Sequence, residues 1–168
     1  MKSILLAGTM TLAVIGNAQA FGSGFVEQRM PAVLPTAWWW WDNDVWTQEQ
    51  RLNAQNVLQA LNARNEATRL SNSGPKAGPI VEIQPVIANL RAALEHANAV
   101  DDDVIDKIQP EFKRYWKDKF IAGLRLRLSN LESAQGNVQA EIRGHALLDE
   151  FGDWLTKNAN KIRIPTPK

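Results

Sequence analysis

Glu141, His145 and Asp149 stand at i, i+4 and i+8, so a helix would carry all three on one face. An imidazole between two carboxylates favours its charged form, and the same three side chains could offer ligands to a metal. A closed metal site takes four ligands, and a catalytic one at least three. The only other histidine, His96, follows Glu95 well upstream, so a denser cluster would have to form across two helices. Ordinary i,i+4 pairing on a helix surface explains the spacing, and neither a metal nor a cofactor is implied.

A second constellation is aromatic. The stretch TAWWWWDNDVW, Thr36 to Trp46, holds Trp38, Trp39, Trp40, Trp41 and Trp46, five of the seven tryptophans in the chain. In an extended segment Trp38 and Trp40 would point one way and Trp39 and Trp41 the other. In a helix they would spread by about 100° each around the circumference. Each indole can bury about 200 Å², so two left exposed approach the largest apolar patches of ordinary monomers. The plain reading is a strap, one pair packed on the domain and the other beside Asp42 and Asp44. The functional reading makes Trp38, Trp39, Trp40, Trp41 and Trp46 the candidate partner-binding residues, with Trp39 and Trp41 as the expected outer pair. Asp42 and Asp44 would be repelled by anionic headgroups, which disfavours membrane insertion.

KRYWKDKF, Lys113 to Phe120, interleaves bases with aromatics as nucleic-acid binders do. Tyr115, Trp116 and Phe120 fall on or beside an apolar row, however, and Lys113, Lys117 and Lys119 do not, so a solvated face beside a core stripe explains the pattern. Between Lys107 and Arg127 there are seven bases against two acids, which keeps an anionic surface among the conceivable partners. Asp101, Asp102, Asp103 and Asp106 lack the spaced ligands and the glycine of an EF-hand loop and read as helix-capping carboxylates. Neither G-x-S-x-G, a Walker loop nor H-E-x-x-H occurs, and there is no cysteine nucleophile. The expectation is a non-enzyme; a carboxylate-pair hydrolase, whose acids can be distant in the chain, ranks third among the readings.

The elements that would position these residues can be read from periodicity. Residues 1–20, MKSILLAGTMTLAVIGNAQA, have the form of a signal peptide: Lys2, an apolar run from Ile4 to Ile15, and the small-x-small site Ala18-Gln19-Ala20. The apolar run is shorter than the about 20 residues that span a bilayer, so no transmembrane segment is expected after cleavage. Losing Lys2 takes the formal net charge from +1 to zero. Balanced charge and export together argue against nucleic acid as a partner. An exported chain without cysteine suits a bacterial periplasm or surface better than a eukaryotic secretory route, so the expected localisation is periplasmic or secreted, without a lipid anchor.

Residues 21–46 read as an extended or irregular tryptophan-rich arm. Thr47-Gln48-Glu49-Gln50 is a capping-box pattern that opens an N-terminal helix over 47–71, with a thin stripe of Ala54, Val57, Leu58 and Leu61 under a coat of asparagine and glutamine. A linker over 72–84 follows, with Ile80 to Gln84 extended ahead of Pro85. A helical bundle over 85–164 completes the chain. Its second helix carries Ile87, Leu90, Leu94 and Ala97 on one face. The third, capped by Asp101 to Asp103, carries an i+4 row of Val104, Ile108, Phe112, Trp116, Phe120, Leu124 and Leu128, which winds about the axis and must kink or divide at Pro110. Gly136 and Asn137 fit a terminating glycine and a new N-cap, ahead of a last helix with Val138, Ile142, Leu148, Phe151, Leu155 and Ile162. The fold class is all-α, an antiparallel bundle of about four helices.

Trp46-Thr47-Gln48-Glu49-Gln50 resembles the L-T-x-x-Q with which small helical exported bacterial stress chaperones and metal-resistance proteins begin helices, with Trp in the place of Leu. The likeness covers five residues and has no second copy. A capping box alone accounts for most of it, so it assigns no family. The functional expectation is an exported, non-catalytic helical interaction protein: an accessory part of an envelope, secretion or conjugation assembly, or a chaperone-like binder with an envelope protein as partner. The alternative is a cell-wall or saccharide binder that stacks sugars on the tryptophan run.

Overall fold

The computed structural model describes residue 30 and residues 46–72 and 83–165. Among these residues there are five helices and no strand, and the protein is all-α. The signal-like residues 1–20, most of the arm with Trp38 to Trp41, and most of the linker lie outside the described residues. No helix among the described residues is long and apolar enough to cross a membrane.

Helix α1, Gln48–Asn72, opens on the capping box read from the sequence. The Gln50 N–H donates to Thr47 Oγ1 at 3.1 Å, and Gln50 Oε1 accepts from the Thr47 N–H at 3.3 Å. Two N–H groups that the first turn would otherwise leave unsatisfied are thereby paired. Its buried stripe of Ala54, Val57, Ala60 and Leu61 is narrow, as expected. The amide coat has a different use from simple solvation. Asn53 donates to the Ala99 carbonyl and accepts from the Asp101 N–H, both at 2.9 Å, and so holds the turn after α2. Asn56 Oδ1 meets His96 Nδ1 at 3.1 Å, and Gln55 Nε2 donates to the Pro165 carbonyl at 2.6 Å. Side-chain amides on one helix thus fasten separate pieces of irregular chain, whose polar groups have no ladder to join.

Helix α2, Ile83–Asn98, packs along α1, and the pairs Asn53 with Ala99 and Asn56 with His96 show that the contacts run in opposite directions. It starts earlier than the sequence reading placed it: Ile83 and Gln84 are helical, not extended, and Pro85 is the third helical residue. First-turn N–H groups have no intrahelical acceptor, so Pro85 forfeits no bond there, and the bias against a helical residue before proline is overridden.

Pro110 divides the third predicted helix. Helix α3, Asp102–Ile108, ends at Gln109, whose backbone is extended (φ −172°, ψ 140°). Asp101 occupies the N-cap position without a side-chain capping bond, which corrects the expected cap. The helix resumes as α4 over 112–132, in three parts: Phe112–Tyr115, a π-helical turn Trp116–Ile121, and Ala122–Glu132. All seven members of the i+4 row are buried. In an α-helix four residues overshoot a full turn by about 40°. The wider i→i+5 turn at Trp116–Ile121 reduces the rotation per residue and brings the row back toward a single side, so it winds less than a plain α-helix would require.

Helix α5, Val138–Asn158, begins as predicted: Gly136 has φ 62°, and Asn137 Oδ1 accepts from the Ala140 N–H at 3.1 Å. Leu148, Phe151 and Leu155 are buried, and Trp154 joins them. Val138 and Ile142, expected on the buried face, are 59% and 41% exposed, because this end of α5 turns polar side chains toward α4. Ile162 is buried but follows the helix, in a terminal stretch with Ile164 and Pro165.

The centre of the core is aromatic. Trp116 stacks between Phe112 and Phe120, at ring separations of 5.2 and 4.5 Å, and its Nε1 donates to the Ala97 carbonyl at 3.2 Å. Phe151 and Trp154 of α5 close the cluster from the other side.

Candidate functional site

The arm is fixed to the helical body at both of its described residues. Met30 precedes Pro31, whose ring sterically favours an extended backbone at the residue before it. Its N–H donates to Asn65 Oδ1 at 3.0 Å and its carbonyl accepts from Asn65 Nδ2 at 3.4 Å. Its side chain is 4% exposed and lies beside Gly152 of α5, where an added Cβ would sit 3.8 Å from Met30 Cγ. At the other end Trp46 is 7% exposed, within the core, and Lys107 Nζ stands 5.6 Å from its ring centroid. Trp46 therefore anchors the arm where the sequence reading had grouped it with partner-contacting residues. Trp38, Trp39, Trp40 and Trp41 fall between these two anchors in the chain and lie outside the described residues.

The titratable constellation on the last helix is brought together in part. Glu141 Oε1 faces His145 Nε2 at 3.0 Å and accepts from Arg127 Nε at 3.2 Å, while Glu141 Oε2 accepts from Asn130 Nδ2 at 2.9 Å. Asn130 also accepts, through Oδ1, from the Asn137 N–H, which ties the carboxylate to the start of α5. Burial by itself would raise the Glu141 pKa. The His145 hydrogen bond, the Arg127 charge and the Asn130 hydrogen bond outweigh it and hold the carboxyl below its ordinary value. Asp149 is exposed one turn further on, and no group of three potential metal ligands occurs among the described residues. A carboxylate whose two oxygens are already engaged by three donors is suited to joining α4 to α5, not to abstracting a proton.

Sequence reasoning missed Arg127, which it counted among the seven bases that could meet an anionic surface. It is fully buried because Gly123 and Gly144 let the two helices approach closely: a Cβ on Gly144 would lie 2.7 Å from Arg127 Cγ and 3.1 Å from the Gly123 carbonyl. The available signal was the pairing of two glycines and two opposite charges across the short Ser133–Asn137 connection.

The basic stretch is neutralised locally. Lys113 pairs with Asp102 at 3.3 Å and Asp106 at 3.0 Å, Lys117 with Asp102 at 2.6 Å, and Lys119 with Glu150 at 2.5 Å. The Asp102 carboxyl is held below its ordinary value, chiefly by the Lys117 hydrogen bond, and Lys113 is raised, chiefly by the Asp106 hydrogen bond. The acids that the sequence placed as caps thus face the bases that it offered to an anionic partner. Arg114 lies over the Tyr115 ring at 5.0 Å, and Tyr115 stacks on Trp154 at 4.6 Å, which fills the aromatic side of this stretch from within.

Comparison with family models, curated proteins and solved structures finds no match to this chain.

Proposed function

We propose that this chain is an exported, non-catalytic helical interaction protein of the bacterial envelope that recruits its partner through Trp38 to Trp41. It acts as an accessory component of an envelope, secretion or conjugation assembly, or as a chaperone-like binder. The observation that carries this reading is the double anchorage of the arm, by Met30 on Asn65 and by Trp46 in the core. Met30 and Trp46 flank the run in sequence and tie the chain on either side of it to the helical body, and a binding segment that is fixed beforehand turns more of its contact energy into affinity. The oppositely running contacts of α1 with α2 and of α4 with α5 favour an antiparallel bundle as the support. Local pairing of the lysines and the saturated Glu141 carboxylate favour a binding role over polyanion capture or acid–base catalysis.

The test replaces Trp39 and Trp41 together by serine. The expected result is an almost unchanged melting curve with loss of a crosslinked partner that the unaltered chain recovers from cell envelopes. Unfolding of the double variant would make the run core and remove the reading. Retention on immobilised saccharide that the double variant loses would favour a wall-binding role in its place.

A further inference from the structure

We propose that Met30 is an oxidation-sensitive latch: conversion of its thioether to the sulfoxide drives it out from between α1 and α5. The sequence singles the residue out. The chain has no cysteine and three methionines, and Met1 and Met10 fall in the signal-like residues 1–20, so cleavage there would leave Met30 as the only sulfur. Two kinds of contact hold Met30, and oxidation affects them differently. Its main chain pairs with Asn65, at 3.0 Å for the N–H and 3.4 Å for the carbonyl, and sulfoxide formation leaves those groups unchanged. Its side chain is 4% exposed and depends on apolar contact, with Cγ 3.8 Å from the place of a Gly152 Cβ.

A sulfoxide oxygen is a strong acceptor that needs a donor if it stays buried. Gly152 provides none. Its N–H lies inside α5, where it bonds to the carbonyl four residues back, and its own carbonyl is an acceptor that already takes the Thr156 hydroxyl at 2.8 Å. Asn65 directs both of its contacts to the Met30 main chain. Oxidation therefore sets a poorly paired buried oxygen against an open anchor. The open anchor wins, because water can replace the two main-chain bonds.

The chemical step is a two-electron oxygen transfer. With hydrogen peroxide the thioether sulfur gains an S=O bond, the O–O bond breaks, and the second oxygen leaves as water. A methionine sulfoxide reductase reverses the change: two thiols become a disulfide and the oxygen leaves as water. Burial slows the forward reaction, since peroxide meets the sulfur in the open form, but the product does not close again. Brief openings are thus converted into a lasting release until a reductase resets the latch. The inference is independent of what the tryptophan run binds and of the export reading.

The test treats the full chain with hydrogen peroxide, locates the added oxygen by mass spectrometry, and follows amide exchange at Met30. Exchange in the chain carrying Met30 sulfoxide should be about tenfold faster than in the untreated chain. Helical content should be kept, and methionine sulfoxide reductase with a dithiol should restore the slow rate. Met30→Leu keeps an apolar side chain and the main-chain bonds, so peroxide should leave its exchange unchanged even where Met1 and Met10 are oxidised. Met30→Gln, of similar length with a polar end, should exchange fast at position 30 without any oxidant. Unchanged exchange in the oxidised chain, or the same peroxide response in Met30→Leu, would overturn the proposal. So would a Met30 that takes up no oxygen in the folded chain over an exposure that oxidises it in the unfolded chain. Should Met30→Gln fail to fold, the oxidised chain and Met30→Leu decide.

Discussion

Arg127 reaches Glu141 across a glycine: Nε lies 3.2 Å from Oε1, and the aliphatic stem of the arginine fills the space that a Gly144 side chain would occupy. The ion pair and the close approach of α4 to α5 are one feature. A methyl group at position 144 would push the guanidinium off the carboxylate as well as push the helices apart.

Gly144→Ala should therefore destabilise the protein by about 1–3 kcal/mol through overpacking. Gly123→Ala should do likewise, since its Cβ would lie 2.8 Å from Leu148 Cγ and 3.0 Å from the Gly144 carbonyl. Gly152→Ala is the control with the opposite sign. Its Cβ meets only Met30 Cγ at ordinary contact distance, and alanine is the better helix former by about 1 kcal/mol. Urea melts of the three variants check the contrast.

Acid should weaken the α4–α5 junction. The folded-state pKa of Glu141 lies below its unfolded value, so the unfolded chain binds the proton more readily. The stabilisation is present in full above the ordinary value of 4.5 and is lost as pH falls through the depressed folded value. Glu141→Gln should remove this part of the acid dependence, read as urea midpoints across the acidic range. An unchanged profile would show that other carboxylates dominate.

Trp116→Ala should cost about 3–5 kcal/mol, because it empties a fully buried site between two stacked rings and leaves the Ala97 carbonyl without its donor. Trp116→Phe keeps the ring contacts and should cost less. Trp40→Ala, in the arm, should cost less than Trp116→Ala. Guanidinium melts order the three variants.

Asn65→Leu should release the arm without unfolding the helices. Amide exchange at Met30 should rise, and trypsin should cut the bond before Met30 faster, with the melting midpoint little changed. Equal protection in the variant would mean that the methionine side chain alone fixes the arm.

N-terminal sequencing of the protein from an envelope fraction should begin at Phe21, as the cleavage pattern at Ala18-Gln19-Ala20 predicts. An intact Met1 would defeat the export reading.

The all-α class, the capping box at Thr47, the i+4 row of α4, the break at Pro110 and the N-cap at Asn137 were all legible in the sequence. Each depends on chemistry within a few residues: a side chain reaching its own first turn, a ring that blocks a helical bond, or an apolar repeat set by the rotation per residue. Other features needed the third dimension. The asparagines and glutamines of α1 look like a solvated coat, yet Asn53, Gln55 and Asn65 hold chain segments that lie from 35 to 110 residues away in sequence. Arg127 looks like one base among seven, and only the glycine crossing of α4 with α5 buries it against Glu141. Val138 and Ile142 look like core, and the same crossing turns them outward. A local pattern reports the direction a side chain takes from its own helix. What stands there to meet it is set by how helices distant in sequence pack together, and a hydrogen bond to remote backbone leaves no periodic trace in the chain that makes it.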